Sequence, residues 1–321
     1  MRIAIILTGA LRTIKKTIRY FKQNLLLQTD IDIFACLQND TQDSETVWNE
    51  WFSEQLGSHL RSITWFSEDN YREWPKHREF MLHYIQIDNG WKDYLRRSGS
   101  MIEYFQLQLA YMKLTECENT CKISYDYLIR ARTDSIYAKP IDFQWLDWTD
   151  DQVHARIEKI QEELALSNID ANQVIPYFMS TITSDDAIPN IQYIHATCYS
   201  AKNETFNNMN AIKLNEYIKQ GRYILTFRKN NLYIVRRELF HLIPALGTMY
   251  GQFRSPHSDS WWFNAEGQFT SICYHACLTT FDYNTDFEDK SVEKVGWNEA
   301  TFFDTEFNCI NPRMLYCVVR A

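Results

Sequence analysis

The chain is short of basic charge. Lys and Arg number 33 against 41 Asp and Glu, and the net charge is -8. A protein built to grip nucleic acid needs a basic footprint for the phosphate backbone. That partner class is therefore set aside, although a mononucleotide needs only a local basic site. No run approaches the roughly 20 apolar residues of a membrane span. The segment from Ile3 to Leu11 has the length of a signal h-region but no cleavage region, and reads as a first strand. These absences give the expectation of a soluble, cytoplasmic protein without a transmembrane segment, in which the sequons at Asn39 and Asn203 have no consequence. Connectors rich in Gly/Ser or Pro are lacking, and so are internal repeats. Eight cysteines are too dispersed for a disulfide framework. Cys273-Tyr274-His275-Ala276-Cys277 has no second cluster at zinc-finger spacing. The thiols are expected to be mostly buried and inert.

What is present is core material. Hydrophobic residues make up 45% and aromatics 15%, enough for one large α/β domain or two lobes and too much for disorder. Residues 2–8 form a continuous, branched run that reads as a central parallel strand. Gly9-Ala10-Leu11-Arg12-Thr13 follows, and then Ile14, Ile18, Phe21 and Leu25 at helical spacing. Strand, glycine loop and helix in that order place backbone N–H groups where anions bind. The motif is neither G-x-G-x-x-G nor a Walker loop, so an ordinary βα turn stays open as a reading. Residues 31–37 read as a second strand ending at Gln38-Asn39-Asp40. The βαβ unit so formed opens a Rossmann-like sheet. A helix is expected over 45–60, a short third strand over 62–66, and helices with loops over 67–98. Over 101–117 a helix is expected to bury a stripe of Ile102, Phe105, Leu109 and Met112, with Leu107, Tyr111 and Leu114 beside it.

The organising stretch is Tyr125 to Tyr137. Tyr127, Leu128 and Ile129 read as a buried strand, followed by Arg130, Arg132 and Asp134 at spacing two. On a strand those three share a face. Two guanidiniums and a carboxylate at the end of a buried strand need partners. They either pair with one another, or meet an anionic ligand with a divalent cation. Thr8, Gly9, Arg12, Asn39, Asp40, Arg130, Arg132 and Asp134 all map to the carboxyl edge of the expected sheet, where open α/β sheets bind ligands. That convergence favours a nucleotide site.

Gly-Ala-Leu-Arg-Thr after the first strand, a second strand of Asp-Ile-Phe type, Tyr104-Phe105-Gln106-Leu107, and Tyr-Asp-Tyr-Leu-Ile-Arg-Ala-Arg-Thr-Asp together resemble a group of GT-A-type glycosyltransferases. They are similar to poorly characterised polysaccharide-synthesis enzymes of bacteria and large DNA viruses; a viral source would place the protein in the host cytoplasm. The resemblance covers roughly residues 1–145, with weaker support near 255–280. It implies a Rossmann-like GT-A fold of α/β class, a mostly parallel central sheet flanked by helices, and a C-terminal acceptor-side region. The expected division is 1–145 for the nucleotide-sugar half and 146–321 for the acceptor half, within one continuous domain. The resemblance further implies a UDP- or GDP-linked sugar donor, a glycan or other hydroxyl acceptor, and a divalent metal, Mn2+ or Mg2+, held by Asp134. Here the usual Asp-x-Asp is reduced to Thr133-Asp134-Ser135. Loss of its first acid supports the alternative, a non-catalytic nucleotide- or glycan-binding protein of the same fold.

In the second half, 151–167 reads as a charged amphipathic helix and 191–200 as a strand carrying His195. Residues 223–227 and 232–235 read as a hairpin, and 237–249 as helical. The stretch from His257 to Phe269 mixes acids, a His and aromatics. A sugar hydroxyl is a weak nucleophile without a base. Glu266, just before a helical-looking run, is the first candidate and Asp259 the second, while Glu266 as a helix-end charge remains open. His275 or His257 is a candidate for the metal shell.

Overall fold

The computed structural model describes residues 1–27, 30–67, 102–138, 191–195, 223–228, 231–248, 278–283, 303–310 and 316–319, with a few single positions between them. The first strand, β1 (Ile3–Ala10), is followed by α1 (Ile14–Leu25), β2 (Ile31–Gln38), α2 (Glu45–Leu56), a short 3-10 turn and β3 (Leu60–Trp65). Next come α3 (Ile102–Cys121), β4 (Tyr127–Arg132) and β5 (Ser135–Tyr137). From the second half come β6 (Ile191–His195), β7 (Tyr223–Arg228), β8 (Leu232–Arg236), α4 (Arg237–Phe240), α5 (Leu242–Thr248), β9 (Thr279–Tyr283) and β10 (Tyr316–Val318).

Eight strands form one sheet in the order β3-β2-β1-β4-β8-β7-β9-β6. The first four are parallel, β4 meets β8 antiparallel, and β7 runs parallel to β9. The fold is thus α/β and Rossmann-like, with a mostly parallel sheet to which strands of both halves contribute. β1 and β2 lie in its middle because they are apolar on both faces. Ile3, Ile5 and Leu7 point toward α1 and α2, and pack with Ile18, Phe21, Trp48 and Phe52. Ala4 and Ile6 point the other way, into a core with Tyr104, Leu107, Tyr233 and Phe240 under α3 and α5. α5 comes so close to α3 that a Cβ on Gly247 would stand 2.3 Å from Tyr104 Cδ1.

The helix expected over 101–117 is present, but its buried side differs. Ile102, Tyr104, Phe105, Gln106, Leu107, Ala110 and Leu114 are buried, whereas Met112 is exposed. Apolar residues lie nearly all round this helix, so its pattern sets the rotational phase weakly. A second, two-stranded sheet pairs β5 with β10, and the 303–310 segment packs on α1 through Phe303, Phe307 and Tyr20. The helix expected over 151–167 lies outside the described residues.

Candidate functional site

β1 leads to β2 on one side, while β4 lies on its other side. The junction of β1 and β4 is the point where strand order reverses, and ligands of open α/β sheets bind beyond the carboxyl ends there. Thr8 and Gly9 lie at the end of β1 here, Arg132 ends β4, and Thr133 and Asp134 follow it directly.

Thr133 fastens the two ends together. Its N–H donates to Thr8 O at 3.1 Å and its hydroxyl to Ala10 O at 2.6 Å; its carbonyl accepts from Thr17 Oγ1 at 2.6 Å. Gly9 allows this approach. Its φ is +137°, and a Cβ there would stand 2.3 Å from Thr133 Oγ1. Asp134 therefore lies not on the strand but in the tight turn between β4 and β5. Val319 N–H, just beyond β10, donates to its carbonyl at 2.7 Å.

The Asp134 carboxylate takes a two-pronged fork from Arg132: Nε to Oδ1 at 2.7 Å and Nη2 to Oδ2 at 2.5 Å. Such paired, charge-assisted bonds are among the strong ones. The remaining Arg132 nitrogen, Nη1, donates to Asn231 Oδ1 at 2.6 Å. Arg130 is fully buried and donates through Nη1 to Asn231 O at 2.6 Å, with Glu103 Oε2 3.5 Å from its Nη2. Asn231 thus joins both arginines, one through its side chain and one through its backbone. Two cations face two anions, so the cluster is close to neutral, as a buried ionic group must be.

Around the cluster the polar atoms are less complete. Sheet register places Thr64, Cys36, Thr8 and Arg132 in one row on the α3 face. Thr8 Oγ1 and Thr64 Oγ1 in that row are buried with no hydrogen-bond partner among the described residues. One row deeper, Arg130 pairs across the sheet with Tyr233. Arg130 Nε, Tyr233 Oη and Gln106 Nε2 are likewise buried and unpartnered among those residues. Burial pushes the Tyr233 phenol well above its ordinary pKa. A buried hydroxyl left unpaired costs about 1–3 kcal/mol. Tyr233→Phe is expected to leave stability unchanged or raise it by up to about 1–2 kcal/mol, read by equilibrium urea unfolding. A clear loss would mean that an ordered water joins the hydroxyl to Arg130 or Glu103.

The first βα loop is occupied by a side chain of the chain itself. Asp40 Oδ1 accepts from Leu11 N at 2.9 Å and from Arg12 N at 3.1 Å. The N–H groups that the sequence offered to an anion are thus held by a carboxylate from the end of β2. The Arg12 side chain is exposed. Asn39 turns inward on its own loop, accepting from Thr41 N and Thr41 Oγ1 and donating to Asp43 O at 2.8 Å. Thr8, Gly9, Arg130, Arg132 and Asp134 are brought together, and Asn39, Asp40 and Arg12 line the adjoining loops. His257, Asp259, Glu266 and His275 lie outside the described residues. Glu103 and Asn231 belong to the cluster although no sequence pattern marks them. Asn231 falls in a hairpin turn, and only the antiparallel pairing of β4 with β8 brings that turn to the carboxyl edge.

Among the described residues no group of three or more His, Cys, Asp or Glu is arranged to hold a metal ion. The same residues include no helix long and apolar enough to cross a membrane. No family model and no curated protein matches the chain. Among solved structures it is similar to core-mannan synthase A from Aspergillus fumigatus in its Mn/GDP form, at 13% identity and a TM-score of 0.33, over 84% of this chain and 71% of that one. A likeness of that size is too slight to bear on function.

Proposed function

We propose that the chain is a glycosyltransferase that moves a sugar from a nucleoside diphosphate sugar, UDP- or GDP-linked, to a hydroxyl of a glycan or other acceptor. The observation that carries this reading is the placement of the Arg132–Asp134 fork at the strand-order reversal, beside Thr8, whose buried hydroxyl has no partner among the described residues. Thr8 and the loops after β1 and β2 form the donor side, with Asn39, Asp40 and Arg12 around the base and ribose. Arg132 is positioned to exchange a carboxylate oxygen for a phosphate oxygen, since both present the same acceptor geometry to a guanidinium. Arg130, fully buried on Asn231 and Glu103, holds the platform rather than the ligand.

A Mg2+- or Mn2+-type site takes one or two carboxylates and completes its shell with water and substrate phosphates, and Asp134 would supply one such carboxylate once Arg132 turns to a phosphate oxygen. Such a cation would neutralise charge on the leaving diphosphate. The acceptor hydroxyl oxygen attacks the anomeric carbon as the bond to the diphosphate oxygen breaks. In an inverting displacement the hydroxyl proton passes to an acid of the 257–269 stretch, Glu266 first and Asp259 second. His275 stands as a further candidate for the metal shell. The division into a donor half, 1–145, and an acceptor half, 146–321, belongs to the same proposal.

A second reading has its own support. Both oxygens of Asp134 are already engaged by Arg132, which is what a purely internal network in a non-catalytic fold requires. Thermal unfolding with UDP-, GDP-, CMP- and dTDP-linked compounds, with and without Mn2+, separates the two. A ligand at ~100 times its Kd stabilises by about 2.7 kcal/mol. The transferase reading expects a Mn2+-dependent rise with one nucleotide class, followed by donor turnover. No rise with any compound would leave the cluster as internal architecture.

A further inference from the structure

Two of the cysteines expected to be inert lie together on the surface. Cys117 and Cys121 stand one turn apart at the end of α3, half-buried and exposed, with their sulfurs 3.9 Å apart. The helix is closed around them. Thr120 Oγ1 donates to Glu116 O at 2.8 Å, Ile123 N donates to Glu118 O at 3.3 Å, and Lys122 takes φ +55°. That is the left-handed ending of a Schellman-type cap.

Geometry decides what such a pair can do. Helical residues four apart hold their Cβ atoms about 5–6 Å apart, whereas a disulfide needs roughly 3.5–4.5 Å. Oxidation to a disulfide would therefore have to undo the capped turn. A tetrahedral cation bound to two thiolates at about 2.3 Å needs sulfurs about 3.8 Å apart. The observed separation meets that need with the helix as it stands.

We propose that Cys117 and Cys121 form a two-thiolate clamp for a thiophilic divalent cation of the Zn2+ or Cd2+ class. One cation displaces one proton from each thiol, both protons go to solvent, and the remaining coordination positions take water. The nearby charges do not compete. Arg61 is paired with Asp32 at 2.7 Å, Glu116 with Lys113 at 2.8 Å, and Glu118 with Arg237. Each thiol must give up its proton to the cation. Affinity therefore rises with pH. A bound cation would staple the turn that carries Glu118, which also accepts from Tyr125 N at 3.3 Å at the entry to β4.

The test is titration of the full-length, reduced protein with Cd2+, followed by the cadmium–thiolate ultraviolet charge-transfer band and by proton release. Wild type is compared with Cys117→Ser, Cys121→Ser and the control Cys309→Ser. Loss of a mere outer-shell partner costs 10–100-fold in metal affinity, so loss of a ligand is expected to cost at least about tenfold. The expected result is one cation and two protons per chain at this pair, lost in either serine variant, retained in the control, and displaceable by Zn2+. Cadmium uptake unchanged in Cys117→Ser or Cys121→Ser would overturn the proposal. So would a reduced pair that takes no Cd2+ yet yields an intrahelical disulfide with peroxide.

Discussion

Replacing Asp134 by asparagine is expected to weaken Mn2+-dependent binding of the donor nucleotide by at least about tenfold, since loss of a mere outer-shell partner already costs roughly 10–100-fold in metal affinity. Charge is the reason. In the free protein Asp134 and Glu103 balance Arg132 and Arg130, and the carboxylate is the only acid of the β4–β5 turn. Asparagine keeps the shape and one acceptor for the Arg132 fork but gives up the charge that a cation needs. Protein stability should fall as well, because a mostly buried guanidinium loses its counter-ion. Breaking a buried pair costs up to about 3–5 kcal/mol. The amide, the partial exposure of Arg132 and its bond to Asn231 Oδ1 should reduce this to about 1–2 kcal/mol. Calorimetric titration of the nucleotide with and without Mn2+, beside urea unfolding, reads the two effects separately. Lower stability with unchanged nucleotide affinity would make the cluster architectural. Unchanged stability and affinity together would contradict the geometry of the fork itself.

The parallel half can be read from the sequence because each element carries a local signal. The runs of β1 and β2 announce strands buried on both faces, and α1 keeps its charges on one side and its apolar residues on the other. Elements fixed by distant partners cannot be read that way. β5 is three residues long and exists because Tyr316–Val318 pairs with it from far along the chain. The site divides along the same line. Arg130, Arg132 and Asp134 are visible as spacing on one strand. Asn231 and Glu103 reach them only through the docking of β8 and α3, which no local pattern encodes. Asp40 shows a further limit. The glycine loop and helix start lie where the sequence places them, yet a carboxylate from the next strand end satisfies two of the N–H groups that sequence reasoning offers to a ligand.

Gly9→Ala is expected to be strongly destabilising. Two costs coincide there. The +137° φ lies where side chains with a Cβ rarely go, which costs of order 1–3 kcal/mol. The new methyl would also stand 2.3 Å from Thr133 Oγ1, closer than any real contact, and one of the two must move. Thr133 cannot shift freely, because its hydroxyl, N–H and carbonyl are all bonded to β1 or α1. Any displacement is passed along the chain to Asp134. The expected loss is about 2–4 kcal/mol of stability, with weaker donor binding even where the variant stays folded. A double-mutant cycle separates the terms. Thr133→Ala removes the hydroxyl, and with it the clash and the bond to Ala10 O, but not the backbone strain at position 9. The double variant should therefore be more stable than the sum of the two single losses predicts, by about 1–2 kcal/mol, the coupling expected of residues in contact. Strict additivity would show that the methyl and the hydroxyl never meet, and that backbone strain alone makes glycine necessary at the junction of β1 and β4.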